Sequence, residues 1–247
     1  AQAVNADAIS YLSIIRTEDN MIERRVAVPG SVHHTLITPD DKFAIATHPG
    51  NGGVSIVDLV TYDVKLVRTG PVPNFAVAAP DGGAVYVSNA GNNTISMLDT
   101  KRWIVRWNIE VGDGPEHMVL SADGYYLFVN NTGDGTVSMV SLPQGTVEKT
   151  FSIGGYLHGI DLSEDGKTLF VAGRDTNKIS AIDLKSGAIK NQSLSPAPYH
   201  LATIKGTGKL YISSADDDKI WVVDQKSLKT LTEIAVPERA HQMVVFQ

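Results

Sequence analysis

Three observations predict an all-β fold for this chain of 247 residues: a unit that recurs every 41 to 42 residues, short apolar runs of period two inside each unit, and turn-forming residues between the runs. Repeats of this length carrying four short strands build propeller blades, because a single sheet buries its faces only against its neighbours. The expected architecture is a six-bladed β-propeller of four-stranded antiparallel blades, occupying residues 1–247 as a single domain. Its ring is expected to close by pairing a C-terminal inner strand with N-terminal outer strands.

The elements follow in order. AQAVNADAIS at the start aligns with AVYVSNAGNN from Ala84 to Asn93, and Tyr11 to Ile15 aligns with Thr94 to Leu98. The chain therefore opens on the outer three strands of a blade. Full units then run from Ser31 to Leu59, Gly70 to Thr100, Gly114 to Leu142, Gly155 to Leu184 and Pro198 to Asp224. The unit beginning at Gly114 shows their common grammar. An inner run, Met118 to Ser121, ends at an Ala-Asp-Gly turn, and Tyr126-Leu127-Phe128-Val129 follows. A polar loop rich in Asn, Asp and Gly leads to Val137-Ser138-Met139-Val140 and then to a weaker fourth strand. Asp-Gly and Asn-rich punctuation between such runs reads as antiparallel strands joined by tight turns. A last inner strand, His241 to Phe246, completes the blade that the N-terminus began and removes an exposed sheet edge.

Composition narrows the function classes. The formal charge is −6 and no basic stripe occurs, which excludes a nucleic acid gripped through its phosphates. No apolar run reaches the 18 to 20 residues that a membrane-spanning helix needs. Cysteine is absent, so disulfides and thiolate chemistry are excluded. A cysteine-free chain starting Ala-Gln-Ala, as a mature terminus can, is expected in the periplasm or outside the cell, as a monomer.

Six of the seven histidines gather at one point of the repeat. His33, Asn74, Glu116, His158, His200 and His241 are separated by 41, 42, 42, 42 and 41 residues, and His34 and His117 lie one residue further on. That point is the start of the inner strand, at the mouth of the central channel. The loops between second and third strands open on the same face and carry His48, Asn89, Asn92, Asn130, Asn131, Asp134, Arg174, Asp175 and Asp216 to Asp218. A propeller axis makes residues 42 apart converge, and several imidazoles aimed at one point suit a transition metal, copper or zinc before iron or haem. The candidate ligands are His33, His158, His200 and His241, with His117, His34 and Glu116 beside them. On a regular strand an offset of one residue turns a side chain to the other face, which leaves His34 and His117 as ligands or as packing groups. Asn74 leaves one side of the ring open. Asp161 stands mid-strand where other units carry Leu36, Val77, Val119, Thr203 and Val244. A buried carboxylate needs a partner: an imidazole of the site, Arg174 or the backbone.

The segments YVSNAGNNTISMLDT, Tyr86 to Thr100, and LFVAGRDTNKISAIDL, Leu169 to Leu184, resemble the YVTN-type β-propeller repeat along essentially the whole chain. The resemblance implies a propeller and a range of activities: surface-layer domains, lactonases, nucleic-acid binders, metal-handling periplasmic proteins and the haem-bearing propeller of one nitrite reductase class. Three functions stay open. One is a metal-binding propeller, a carrier or a small redox or hydrolytic centre. Another is a non-catalytic scaffold for a protein or a tetrapyrrole, using the loops Asn89 to Asn93 and Arg174 to Asn177. The third is a lactonase-type metal-dependent hydrolase built on Glu116 and Asn74. Asp216 to Asp218 lacks the spaced ligands of a calcium loop, and Gly50 to Gly53 precedes no helix that would make it a phosphate loop.

Overall fold

The computed structural model describes residues 8–243, and every element assigned among them is a β-strand. The expected strand at the very start of the chain falls largely on residues 1–7, outside the described residues. The expected last inner strand falls in part on residues 244–247, also outside them; His241 to Met243 carry no strand.

The chain divides into two compact units, Ala1–Pro115 and Glu116–Gln247. In the first, β1 (Ile9–Ile15) and β2 (Ile22–Pro29) form a two-stranded antiparallel sheet. Two four-stranded sheets follow: β3 (Thr35–Ile37), β4 (Phe43–His48), β5 (Gly53–Asp58) and β6 (Val64–Arg68), then β7 (Pro73–Ala78), β8 (Ala84–Asn89), β9 (Thr94–Asp99) and β10 (Ile104–Glu110). The second unit has three such sheets. They are β11 (Pro115–Leu120) to β14 (Thr146–Ser152), with β12 (Tyr126–Asn131) and β13 (Thr136–Ser141) between; β15 (Leu157–Leu162), β16 (Thr168–Gly173), β17 (Lys178–Asp183) and β18 (Ile189–Ser193); and β19 (Pro198–Ile204), β20 (Lys209–Ser214), β21 (Lys219–Asp224) and β22 (Thr230–Ala235). Sequence neighbours pair throughout, as the short loops require.

The turns form for local reasons. In the β11–β12 turn the Asp123 carboxylate accepts from the Tyr125 N–H at 3.0 Å and from the Ser121 hydroxyl, while Gly124 takes the left-handed conformation, φ 71°. An Asp folding back on its own backbone before a Gly is the cheapest way to reverse a strand here. The β15–β16 turn repeats the device with Ser163 and Asp165.

A side-chain clasp at the end of three second strands, β4, β8 and β12, fixes the other side. Asn89 Nδ2 donates to Ser96 Oγ at 2.8 Å and Asn131 Nδ2 to Ser138 Oγ at 2.9 Å. His48 occupies the same place, its Nε2 2.7 Å from Ser55 Oγ. The expectation that His48, Asn89, Asn130 and Asn131 belong to open loops is thereby corrected: all four lie within the last two residues of a strand and are fully buried, each bonded to a neighbouring polar group.

The core lies between successive sheets. In the second unit Phe128, Val137 and Phe151 pack on Leu157, Ile160, Leu162 and Val171, and Phe170 and Ile179 pack on Leu201, Leu210, Ile212 and Trp221. Second and third strands are therefore buried on both faces, and fourth strands such as β14 alternate or are exposed. Trp103 is core in the first unit, edge-on to Phe43 at 5.1 Å.

Candidate metal centre

Strand register decides which residues of the repeat are equivalent. Pro73 pairs with Asn89, Leu157 with Gly173 and Pro198 with Ser214. The two residues after these anchors are Asn74 and Phe75, His158 and Gly159, Tyr199 and His200. Pro115, the first residue of β11, is the same anchor 42 residues before Leu157, followed by Glu116 and His117. A second mark agrees. The backbone N–H groups of His34, Phe75 and His200 donate to Thr47, Ser88 and Ser213 at 3.0, 3.0 and 3.1 Å.

His200 thus shares its repeat position with His34 and His117, not with His158, and Tyr199 takes the place expected for His200. Aligning on histidines instead of on the strand-opening prolines displaced this unit by one residue. His241 keeps the expected position: its carbonyl accepts from Ser213 Oγ at 3.2 Å, as that of His158 accepts from Asn130 Nδ2 at 2.7 Å.

The same strands explain why an offset does not separate these side chains. Between Pro73 and Ala76, Leu157 and Ile160, and Pro198 and Leu201, the partner strand advances one residue less, a β-bulge at each site. A bulge re-aims consecutive side chains, so the period-two rule fails at the residues where it was applied.

His117 on β11, His158 on β15 and His200 on β19 come together. Their ring centroids are 4.1, 4.9 and 4.6 Å apart, and one ligand atom from each lies within 4.8 Å of the others. Among the described residues this is the one group of three or more such side chains placed to hold a metal ion. All three are buried, with 5, 5 and 8 % of their surface exposed. Gly159 makes the approach possible. A Cβ there would lie 2.5 Å from the Tyr199 carbonyl oxygen and 2.8 Å from the Leu201 nitrogen, so β15 and β19 come this close only without a side chain. A lone Gly inside a strand pattern was the available signal for it.

Burial holds the His158 imidazole far below its ordinary pKa, and the neighbouring His117, His200, His241 and Arg174 push it the same way. It is therefore neutral, the form that coordinates a metal. Its Nδ1 is buried with no hydrogen-bond partner. The His241 ring lies 5.1 Å from His200 and 6.5 Å from His158. Tyr199 stacks on His158 at 3.6 Å and 26°, with the Arg174 guanidinium 5.3 Å above the Tyr199 ring.

Glu116 sits beside His117 and accepts a hydrogen bond from Tyr156 Oη at 3.3 Å. Burial raises the Glu116 carboxyl, and burial with the adjacent carboxylate pushes the Tyr156 phenol up to about 12. Asp161 uses the backbone option: Oδ1 accepts from Leu162 N–H at 2.8 Å, and Oδ2 from Thr203 N–H at 2.7 Å and Thr203 Oγ1 at 3.0 Å. It ties β15 to β19 and bonds no imidazole; Arg174 instead faces Asp216 at 3.9 Å.

The remaining candidates belong to the first unit. His33 Nδ1 lies 3.0 Å from the Asn74 carbonyl, which also accepts from Thr47 Oγ1 at 2.9 Å. His34 stacks on Phe75 at 3.8 Å, and its Nδ1 accepts from the Ala76 N–H at 3.4 Å. Burial, then the charge of His33, lowers His34 to about 4.

Repeated four-stranded antiparallel sheets packed on their sequence neighbours within each unit, three of them placing a histidine at the start of the first strand, are those of a β-propeller. Residues 67–236 match the family model described as lactonase, 7-bladed beta-propeller, and the chain belongs to that family. No curated protein matches it in sequence. Among solved structures it is similar to hydrazine synthase of Kuenenia stuttgartiensis, at 20 % identity and a TM-score of 0.82, over 92 % of this chain and 80 % of that one. It is also similar to dihydro-heme d1 dehydrogenase NirN in complex with DHE, at 19 % identity and a TM-score of 0.76, covering 96 % of this chain and 53 % of NirN. These likenesses show the fold alone.

Proposed function

We propose that this propeller binds a transition metal, copper or zinc, through His117, His158 and His200, as a carrier or as a small redox or hydrolytic centre. The observation that carries the reading is the convergence of three buried imidazoles from three successive sheets, with one ligand atom each inside 4.8 Å. A tetrahedral ion at 2.0–2.1 Å from each nitrogen needs the nitrogens about 3.3 Å apart, a closure of about 1.5 Å at most that side-chain rotation supplies. Three protein ligands leave a coordination position for a fourth, with His241 the nearest imidazole or an exchangeable ligand in its place. His33 and His34 stay outside this ligand set, because the group whose ligand atoms lie within 4.8 Å of one another holds only His117, His158 and His200.

Elemental analysis of the protein as purified, followed by calorimetric titration with Zn(II) and Cu(II), tests the proposal. One ion per chain, bound at micromolar dissociation constant or tighter and lost in a combined His158→Ala, His200→Ala variant, is the expected result. No affinity better than about millimolar overturns it.

Family membership favours the hydrolytic form of the centre. The ion would then supply Lewis-acid polarisation of a lactone carbonyl. Glu116, raised by burial and held by Tyr156, is the group next to the site able to move a proton. Metal-dependent hydrolysis of a simple lactone, at least tenfold slower in Glu116→Gln, supports this form; equal rates with and without the ion contradict it. The reading also keeps the chain as one six-bladed domain of YVTN-type repeats, in the periplasm or outside the cell.

A further inference from the structure

Metal-bound imidazoles are ordinarily held in plane by a hydrogen bond from their second ring nitrogen to a carbonyl or carboxylate. At His158 no such bond is made at Nδ1, which is buried without a partner, and Asp161 three residues on, the nearest carboxylate along its strand, is committed to Leu162 and Thr203. What fixes the ring is Tyr199, stacked on it at 3.6 Å and 26°. Tyr199 also meets His200 edge-on at 5.0 Å and His241 at 5.0 Å, so one phenol ring packs against three of the four clustered histidines. Arg174 covers it at 5.3 Å and is itself only loosely paired, to Asp216 at 3.9 Å. The same repeat position holds His33, Asn74, Glu116 and His158 elsewhere, and the comparable stack in the first unit, Phe75 on His34 at 3.8 Å and 28°, lies outside the metal group.

We infer that Tyr199 is the positioning residue of the metal site, its stacked ring doing for His158 what a hydrogen bond does for an ordinary metal-bound imidazole. The inference rests on the metal-binding reading. It follows that the ring, not the hydroxyl, matters, and that loss of the ring frees His158 to rotate about its side-chain torsions.

The test uses the full chain loaded with Co(II), whose visible absorption reports ligand geometry, and Zn(II) affinity measured by competition. Tyr199→Phe is expected to keep the Co(II) spectrum and to hold Zn(II) affinity within about twofold. Tyr199→Leu is expected to shift the visible bands and to weaken Zn(II) about tenfold. Should the Leu variant fail to fold, Arg174→Gln decides: uncovering the ring is expected to move the Co(II) bands in the same direction by a smaller amount. Unchanged spectrum and affinity in Tyr199→Leu, or in Arg174→Gln where Leu does not fold, overturn the inference while leaving the metal site standing. A Phe variant as damaged as the Leu variant overturns it too. Wild-type protein that binds neither ion removes the metal-binding reading, and the inference with it.

Discussion

At the scale of single residues, the histidines divide by what each ring nitrogen already does. His48 is a clasp, equivalent to Asn89 and Asn131, and His34 is packed against Phe75. His34 is lowered from 6.5 to about 4. The folded state therefore resists protonation that the unfolded chain accepts, and the stability it contributes is full above the unfolded pKa and falls as pH drops from 6.5 toward 4. At about 1.4 kcal/mol per unit, that is about 3 kcal/mol lost for this one group. His48 and His158 shift in the same direction. Urea unfolding of the metal-free protein at pH 7, 5.5 and 4.5 is expected to show a steady loss of stability. His34→Gln is expected to flatten that slope; a slope identical to wild type would contradict the assignment. Histidine counting made the cluster visible in the sequence, but it placed His200 in the wrong column and passed over Tyr199. A search for ligands does not look for the aromatic ring that orients one.

At the scale of strands, the period-two pattern and the Asp-Gly turns were enough to read every four-stranded sheet. The bulges at His158–Gly159 and Tyr199–His200 were not legible, because a bulge leaves apolar alternation intact on either side of it. Pro115-Glu116-His117 and Pro198-Tyr199-His200 did carry the correct register in their shared Pro-x-His pattern. Two substitutions examine this element. Gly159→Ala puts a methyl group 2.5 Å from the Tyr199 carbonyl oxygen, a backbone clash that β15 and β19 relieve only by separating. The expected cost is about 1–3 kcal/mol of stability, with metal affinity reduced as well. Asp161→Ala leaves the half-buried Thr203 N–H and hydroxyl without their acceptor, at about 1 kcal/mol. Its metal affinity is expected to change little, since Asp161 touches no imidazole. A large loss of affinity in Asp161→Ala would show that the site depends on the β15–β19 tie more than on Gly159.

At the scale of the whole molecule, the three imidazoles stand 41 and 42 residues apart in sequence and meet only in the folded chain, so the site is assembled by folding and cannot exist in the unfolded chain. Binding the folded state alone adds stability by mass action, about 2.7 kcal/mol at a metal concentration one hundred times the dissociation constant. Thermal unfolding with saturating Zn(II) is expected to rise by several degrees and to return to the metal-free value on adding chelator. The repeat and the propeller class were legible from the chain because they are written in local pattern; what the site holds is not, since it depends on a few ångströms between side chains from three sheets. The most direct measurement is therefore the metal content and affinity of the intact protein beside its His158→Ala, His200→Ala variant. The account predicts one copper or zinc ion per wild-type chain, bound at micromolar concentration or below, and none in the variant. Wild-type protein that takes up no ion below about millimolar, or a variant that binds as well as wild type, would contradict it.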